Sequence, residues 1–207
     1  MNGMIKADEP DGTSGINAVW QKFRRGDMDS FAYFYNLHFD TLFRYGCHLS
    51  RDEELVRDAI QEIFIDLYYS REKIRSGPEN LKYYLILALK RYLIRRLTRG
   101  RRQVDDADIL RFEADYQPDT LLIEKERQSE ILDKVDLLLS QLPDKQKEAI
   151  YLRFNESMEY SDIAEIMEIS VESVRKQVYR ALKTIKEIVD IKGIVLFFHF
   201  VVKKNTK

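Results

Sequence analysis

Glu172, Arg175, Tyr179 and Lys183 recur every three or four positions, with Lys176 next to Arg175 and with Ser173 and Arg180 alongside. Residues so spaced share one face of a helix. Val171, Val174, Val178, Leu182 and Ile185 give that helix an apolar opposite face. Long donors of this kind reach base edges, and cations among them hold phosphates. That is recognition chemistry, with no bond making or breaking in it. Ser170 stands where a side-chain oxygen can cap the helix. Upstream, Ile163, Ala164 and Met167 give a shorter helix its own apolar face, and only residues 168–170 separate the two. Short helix, tight turn and long basic helix together make a helix-turn-helix. Such turns commonly use glycine where Glu168 stands, because the backbone there is left-handed, and any other residue costs about 1–2 kcal/mol.

A second basic stripe runs through Arg91, Arg95 and Arg99, four residues apart, with Tyr83 and Tyr84 just ahead. A nucleic-acid strand meeting that face would release counterions and bind in a salt-dependent way. Either tyrosine could stack on an unpaired base, worth about 1–3 kcal/mol, or pack in the core; one is expected buried and the other near the surface. Asp58, Gln61 and Glu62 form a polar cluster on one helix face, which composition alone reads as solvated. Bond-making chemistry finds no support. Cys47 is the single cysteine, and His38, His48 and His199 are scattered. There is no nucleophile–base pair, carboxylate pair, metal-ligand spacing or glycine-rich phosphate loop. No cofactor and no metal are expected, and no enzyme.

The elements that must position these residues are helical. Only 8 glycines and 4 prolines occur among 207 residues, and 44% are hydrophobic. A net charge of -1 hides a strong asymmetry: eight basic residues and no acid between Lys82 and Arg102, then eleven acids against four bases between Asp105 and Asp136. Apolar residues recur at helical spacing through Phe31, Phe34, Tyr35, His38, Leu42, Tyr45 and Leu49, through Val56, Ala59, Ile60, Ile63 and Leu67, and through Leu81, Tyr84, Leu85, Ala88 and Tyr92. Gly77-Pro78 breaks the pattern between the last two.

The expected architecture is all-α: two small helical domains joined by a flexible acidic linker, the C-terminal one a helix-turn-helix. Residues 1–15 read as a disordered leader, 16–100 as the N-terminal domain, 101–120 as the linker, 121–192 as the C-terminal domain and 193–207 as an apolar and basic tail. In the C-terminal domain helices are expected over 121–141, 144–154, 160–167 and 171–191. The tail's apolar run IVLFFHFVV has nine residues, too short for the ~20 of a spanning helix. The start of the chain lacks a secretory pattern. A cytoplasmic protein without direct membrane insertion is expected.

The stretch QLPDKQKEAIYLRFNESMEYSDIAEIMEISVESVRKQVYRALKTI is similar to the fourth conserved region of RNA polymerase sigma factors, with its Leu-Pro opening and its Ile-Ala-Glu helix. GDMDSFAYFYNLHFDTLFRYG followed by DAIQEIFIDLY resembles the second conserved region of the extracytoplasmic-function (ECF) subfamily. The resemblance implies a sigma factor that binds core RNA polymerase, recognises and helps melt promoter DNA, and initiates transcription. It implies polymerase binding through Asp58, Gln61 and Glu62. It implies downstream-element contacts from Lys73, Arg75, Ser76 and Asn80 in a base-capturing loop, with Tyr83, Tyr84, Arg91, Arg95 and Arg99 beyond. Upstream-element contacts fall to Ser170, Glu172, Ser173, Arg175, Lys176, Tyr179 and Arg180. The family commonly carries Asn and Asp where Arg91 and Arg95 stand, so this helix is the more basic. An anti-sigma factor is an expected partner. Taken alone the helix-turn-helix could equally be the DNA-binding domain of a response regulator, so the first half of the chain must decide; the rival function is a one-component transcriptional regulator that binds an operator without polymerase.

Overall fold

In the computed structural model, which describes residues 12–74, 77–98, 112 and 140–188, three helices begin at a short polar side chain that takes a backbone N–H, those capped by Asp27, Asp52 and Ser170. The first helix, α1 (Gly12–Arg24), starts inside the expected leader, of which residues 1–11 lie outside the described part. Gly26 follows with φ +90°, and a Cβ there would come within 3.3 Å of the Arg71 guanidinium. Only glycine adopts that turn without cost. Asp27 then caps α2 (Met28–Leu49), its carboxylate accepting from the Ser30 N–H at 2.8 Å and the Ser30 hydroxyl at 2.6 Å. Asp52 caps α3 (Glu53–Ser70) by accepting from the Leu55 N–H at 3.0 Å. Gly77 is extended, and Pro78–Asn80 forms one 3-10 turn that leads into α4 (Leu81–Thr98).

The N-terminal core lies among α2, α3 and α4, with α1 packed on α2. Phe34, Leu42 and Tyr45 of α2, Val56, Ile60, Phe64 and Leu67 of α3, and Leu85, Leu89 and Leu93 of α4 are buried. Trp20 and Phe23 of α1 meet the edge of Phe34 at 5.4 and 5.9 Å. Where α2 crosses α3, a Cβ on Gly46 would stand 2.5 Å from Val56 Cγ1, so the close approach needs glycine.

The buried side of α4 differs from the expected one. Tyr84 is exposed, while Ile86, Leu87, Leu89 and Leu93 are buried. The reason is that α4 has neighbours on two sides, the N-terminal bundle and the C-terminal half. A helix covered twice does not show a single apolar stripe.

In the C-terminal half the Pro143 carbonyl accepts from the N–H groups of Gln146 (2.8 Å) and Lys147 (3.1 Å), opening α5 (Asp144–Ile150). The helix expected over 144–154 does not continue unchanged. Tyr151–Asn155 widens into a π-helical turn closed by Glu156 N–H donating to the Tyr151 carbonyl at 3.2 Å. Helices α6 (Tyr160–Ile166) and α7 (Val171–Ile188) follow. Leu152, Ile163, Ile166, Val174, Val178, Ala181 and Ile185 form their core. Val171, expected inside, is exposed, and Ala181 occupies the inner face instead.

The linker is corrected at one point. Phe112, within the stretch expected to be flexible, is buried against His48 (4.9 Å between rings) and Tyr151 (5.6 Å), between the two halves. The remainder of residues 101–120, the expected helix up to residue 139 and the tail lie outside the described residues.

His38 sits in the core, and burial, reinforced by the nearby Lys82 charge, pushes its imidazole down to about 4. Between that value and its ordinary 6.5 the unfolded chain binds a proton that the folded one refuses. Stability is therefore full above about pH 6.5 and falls as pH drops towards 4, by roughly 3 kcal/mol for this group. Urea unfolding at pH 7 and pH 4.5 should show a smaller acid loss for His38→Gln than for the parent chain; an equal loss would assign it to other groups.

Candidate nucleic-acid interface

The helix-turn-helix closes as its spacing requires. Ile169 N–H donates to the Ala164 carbonyl at 3.0 Å, ending α6, and Glu168 adopts the left-handed backbone with φ +54°. Ser170 Oγ accepts from the Ser173 N–H at 3.1 Å and shares a hydrogen bond with Ser173 Oγ at 2.8 Å. Both serines are thus engaged in starting α7. Arg175, Lys176, Tyr179 and Arg180 all project from the exposed side, Tyr179 with 69% of its surface free. Glu172 holds Lys176 at 2.7 Å one turn on, an exposed pair worth only a few tenths of a kcal/mol.

Two residues that sequence reasoning missed shape this surface. The Tyr160 ring, at the start of α6, lies under the Arg153 guanidinium at 4.8 Å and near that of Arg175 at 5.5 Å. Arg153 is itself fixed by donating to the Met158 carbonyl at 2.6 Å. The Arg175 head is therefore supported by an aromatic face. Fifteen positions and a turn separate residues 160 and 175, so no periodicity announces the contact.

On α3, Asp58, Gln61 and Glu62 share an exposed face. Ile65 and Tyr69, 45% and 79% exposed, continue it along the helix. Two large apolar residues inside an otherwise polar stripe were the available signal, since a purely solvated face has no use for them.

The residues assigned to α4 and its preceding loop are split. Lys73 and Asn80 are exposed, as are Tyr84, Arg91 and Arg95 along one stripe of α4; Arg75, Ser76 and Arg99 lie outside the described residues. Tyr83 is half-buried and donates its hydroxyl to the Glu165 carboxylate of α6. Burial, with Glu165 beside it, pushes that hydroxyl up to about 12, so it stays a donor at any physiological pH. Arg91 stands 4.0 Å from Glu168. Lys82 pairs with Glu156 at 3.6 Å and donates to its carbonyl.

At the centre of this contact Glu148 of α5 accepts from the Tyr45 hydroxyl and from Lys90, each at 2.7 Å, with all three side chains largely out of water. Burial first, then Glu148, raises the Tyr45 hydroxyl well above its ordinary 10. His48, Phe112, Tyr45 and Tyr151 stack around the group. Burial also raises the Cys47 thiol, which suits a packing residue and not a nucleophile. Among the described residues no cluster has a metal-binding composition, and no helix is long and apolar enough to cross a membrane.

Comparison with known proteins follows the same two-part division. The family model for Sigma-70 region 2 matches residues 34–103, and that for Sigma-70, region 4 matches residues 132–185. The ECF RNA polymerase sigma-E factor of Haemophilus influenzae is 32% identical over 183 residues, covering 82% of this chain and 92% of that protein. The RNA polymerase sigma-H factor of Pseudomonas aeruginosa is 28% identical over 141 residues, 65% of this chain and 72% of that protein. Among solved structures, CnrH in complex with the cytosolic domain of CnrY shares the fold with a TM-score of 0.51 at 17% identity, over 82% of this chain and 93% of CnrH.

The strained turn gives a direct check. Glu168→Gly should raise stability by roughly 0.5–1 kcal/mol, because glycine takes φ +54° without a Cβ clash. Glu168→Val should lower it. Urea unfolding of both variants decides, and a loss with glycine would mean that the Glu168 side chain outweighs the strain.

Proposed function

Because this chain belongs to the ECF subfamily of sigma-70 factors, and so initiates transcription with RNA polymerase as a non-enzymatic subunit, we propose that its two halves divide a promoter between them. The single observation behind this reading is that separate, differently built basic surfaces stand on α7 and α4. The helix-turn-helix left a one-component regulator open; the region 2 match over the first half removes it.

In this reading α7 lies in the major groove of the upstream element. Arg175, Lys176 and Tyr179 reach base edges, Arg180 and Glu172 flank them, and Ser170 and Ser173 orient the helix start towards the backbone. The downstream element is opened and read by the other half. Lys73, Arg75, Ser76 and Asn80 offer donors and acceptors to a base already out of the stack. Tyr83 and Tyr84 stack, and Arg91, Arg95 and Arg99 follow the strand's phosphates.

Core polymerase docks on the exposed face of α3 through Asp58, Gln61 and Glu62. Ile65 and Tyr69 supply the apolar contact that gives such a face affinity. The solved structure of CnrH holds a bound cytosolic domain, which supports an anti-sigma partner for this chain as well. The place of work is the cytoplasm, where the polymerase is.

Replacing Gln61 by Ala and Glu62 by Lys should cut co-purification with core polymerase at least severalfold while the thermal melt stays unchanged, since neither side chain is buried. Retained co-purification would remove the α3 assignment. On α7, Arg175→Ala should cost about 1–3 kcal/mol and relax the choice of one base pair in the upstream element. Tyr160→Leu should reproduce part of that relaxed specificity, whereas Tyr160→Phe, which keeps the ring under the guanidinium, should not. Run-off transcription from a promoter library randomised at the upstream element measures both. Equal behaviour of the Leu and Phe variants would show that the ring does not support Arg175.

A further inference from the structure

Helix α1 touches the loop between α3 and α4 at both of its described ends. At the start, Arg24 donates from Nη2 to the Glu72 carbonyl at 3.3 Å. At the end, α1 packs against the Pro78–Asn80 turn. The chain leaves α1 through Gly26, and α3 clasps that turn. The Tyr68 hydroxyl donates to the Gly26 carbonyl at 3.3 Å. Arg71 lies over the Tyr68 ring at 4.3 Å and donates from Nη1 to the Tyr68 carbonyl at 2.8 Å. A Cβ on Gly26 would press on Arg71 at 3.3 Å, and its φ of +90° suits glycine. Trp20 and Phe23, buried against Phe34, fix α1 to the bundle. Arg24 and Arg71 both reach Glu72, and each keeps a buried Nε–H without an acceptor. A turn shaped for stability alone would not gather two guanidinium groups and leave an N–H of each unpaired. The region 2 match begins at residue 34, so it gives α1 no part.

We propose that α1 is the brace that sets how this loop reads its base, with Arg24, Tyr68 and Arg71 as positioning residues and Gly26 as the turn that lets them meet. This rests on the reading of the loop as the one that captures a downstream base. Lys73 follows directly on Glu72, whose carbonyl Arg24 holds, and Asn80 ends the turn against which α1 packs. A shift of α1 therefore moves both contact residues. Donors and acceptors that discriminate one base must keep their places to within about 0.5 Å. Phosphate contacts hold a strand without telling bases apart, whereas base contacts specify. Loosening the brace thus relaxes the choice of base and leaves the hold on the strand, which falls to Arg91 and Arg95, in place.

The full-length chain with core polymerase provides the test, read as run-off transcription from a promoter library randomised at both elements. Arg24→Ala removes the hold on the Glu72 carbonyl, and Gly26→Ala forces the turn against Arg71. Each should lower the preference for the favoured downstream base by about fivefold, the lower end of ordinary coupling between sites. The upstream preference should not move. Arg24 is only half-buried, so its variant carries the test if Gly26→Ala fails to give a cooperative thermal melt. Val56→Ala, which loosens the α2–α3 crossing away from the loop, controls for lost stability and should keep the base preference. A folded Arg24→Ala chain with unchanged downstream preference overturns the brace. Equal relaxation in Val56→Ala would assign the effect to stability and overturns it too. Lys73→Ala and Asn80→Ala test the underlying reading. If neither alters the downstream preference, the loop does not read the base, and the proposal falls with that reading. If they relax the preference and Arg24→Ala does not, the brace alone fails.

Discussion

A carboxylate buried where two helical halves meet sets the terms for the described structure. Glu148 Oε1 accepts from Tyr45 on α2 and Lys90 on α4, both at 2.7 Å, from its own place on α5. A charge withdrawn from water is tolerable only when paired and hydrogen-bonded, so three helices must be in position together. Removing one member strands the others, at a cost of about 3–5 kcal/mol for a buried pair. The aromatic wall of Tyr45, His48, Phe112 and Tyr151 keeps solvent out and makes that dependence strict. At this contact the two halves share one core.

That sharing changes what α4 is. Taken in isolation it is the last helix of a bundle with a basic outer stripe. In the folded chain it is also the floor on which α6 rests, with Ile86 and Leu87 buried on the way. The same helix that carries an exposed arginine stripe meets glutamates from its own C-terminal half. The exposed α3 face and the exposed side of α7 are left out of this arrangement, and they carry the other two surfaces of the proposed function.

Much of the local geometry was readable from spacing alone. The α7 face, the Ser170 cap, the left-handed strain at Glu168 and the exposed trio on α3 all follow from local spacing, and all stand where that spacing puts them. Tyr84 and Val171 were misplaced. Tyr84 lost its expected burial because the neighbours of α4 lie on other sides. Val171 stands at the first turn of α7 and is exposed. Phe112 shows the limit of composition: an acidic stretch reads as a linker, yet one aromatic in it is buried as firmly as any core residue.

By itself, the sequence determined what depends on near neighbours along the chain: the helices and their caps, the two-part organisation, the exposed basic face of α7, and the motifs that identify the family. Those are set by backbone hydrogen bonds and side chains three or four positions apart. Only the tertiary structure decided which partners meet across long separations: Tyr45 with Glu148, Tyr83 with Glu165, Tyr160 with Arg175. Periodicity says that a residue faces inward or outward and nothing about what waits there. A glutamate on α5 reads as one more surface acid until packing closes over it, and its meaning comes from the tyrosine and lysine that packing brings.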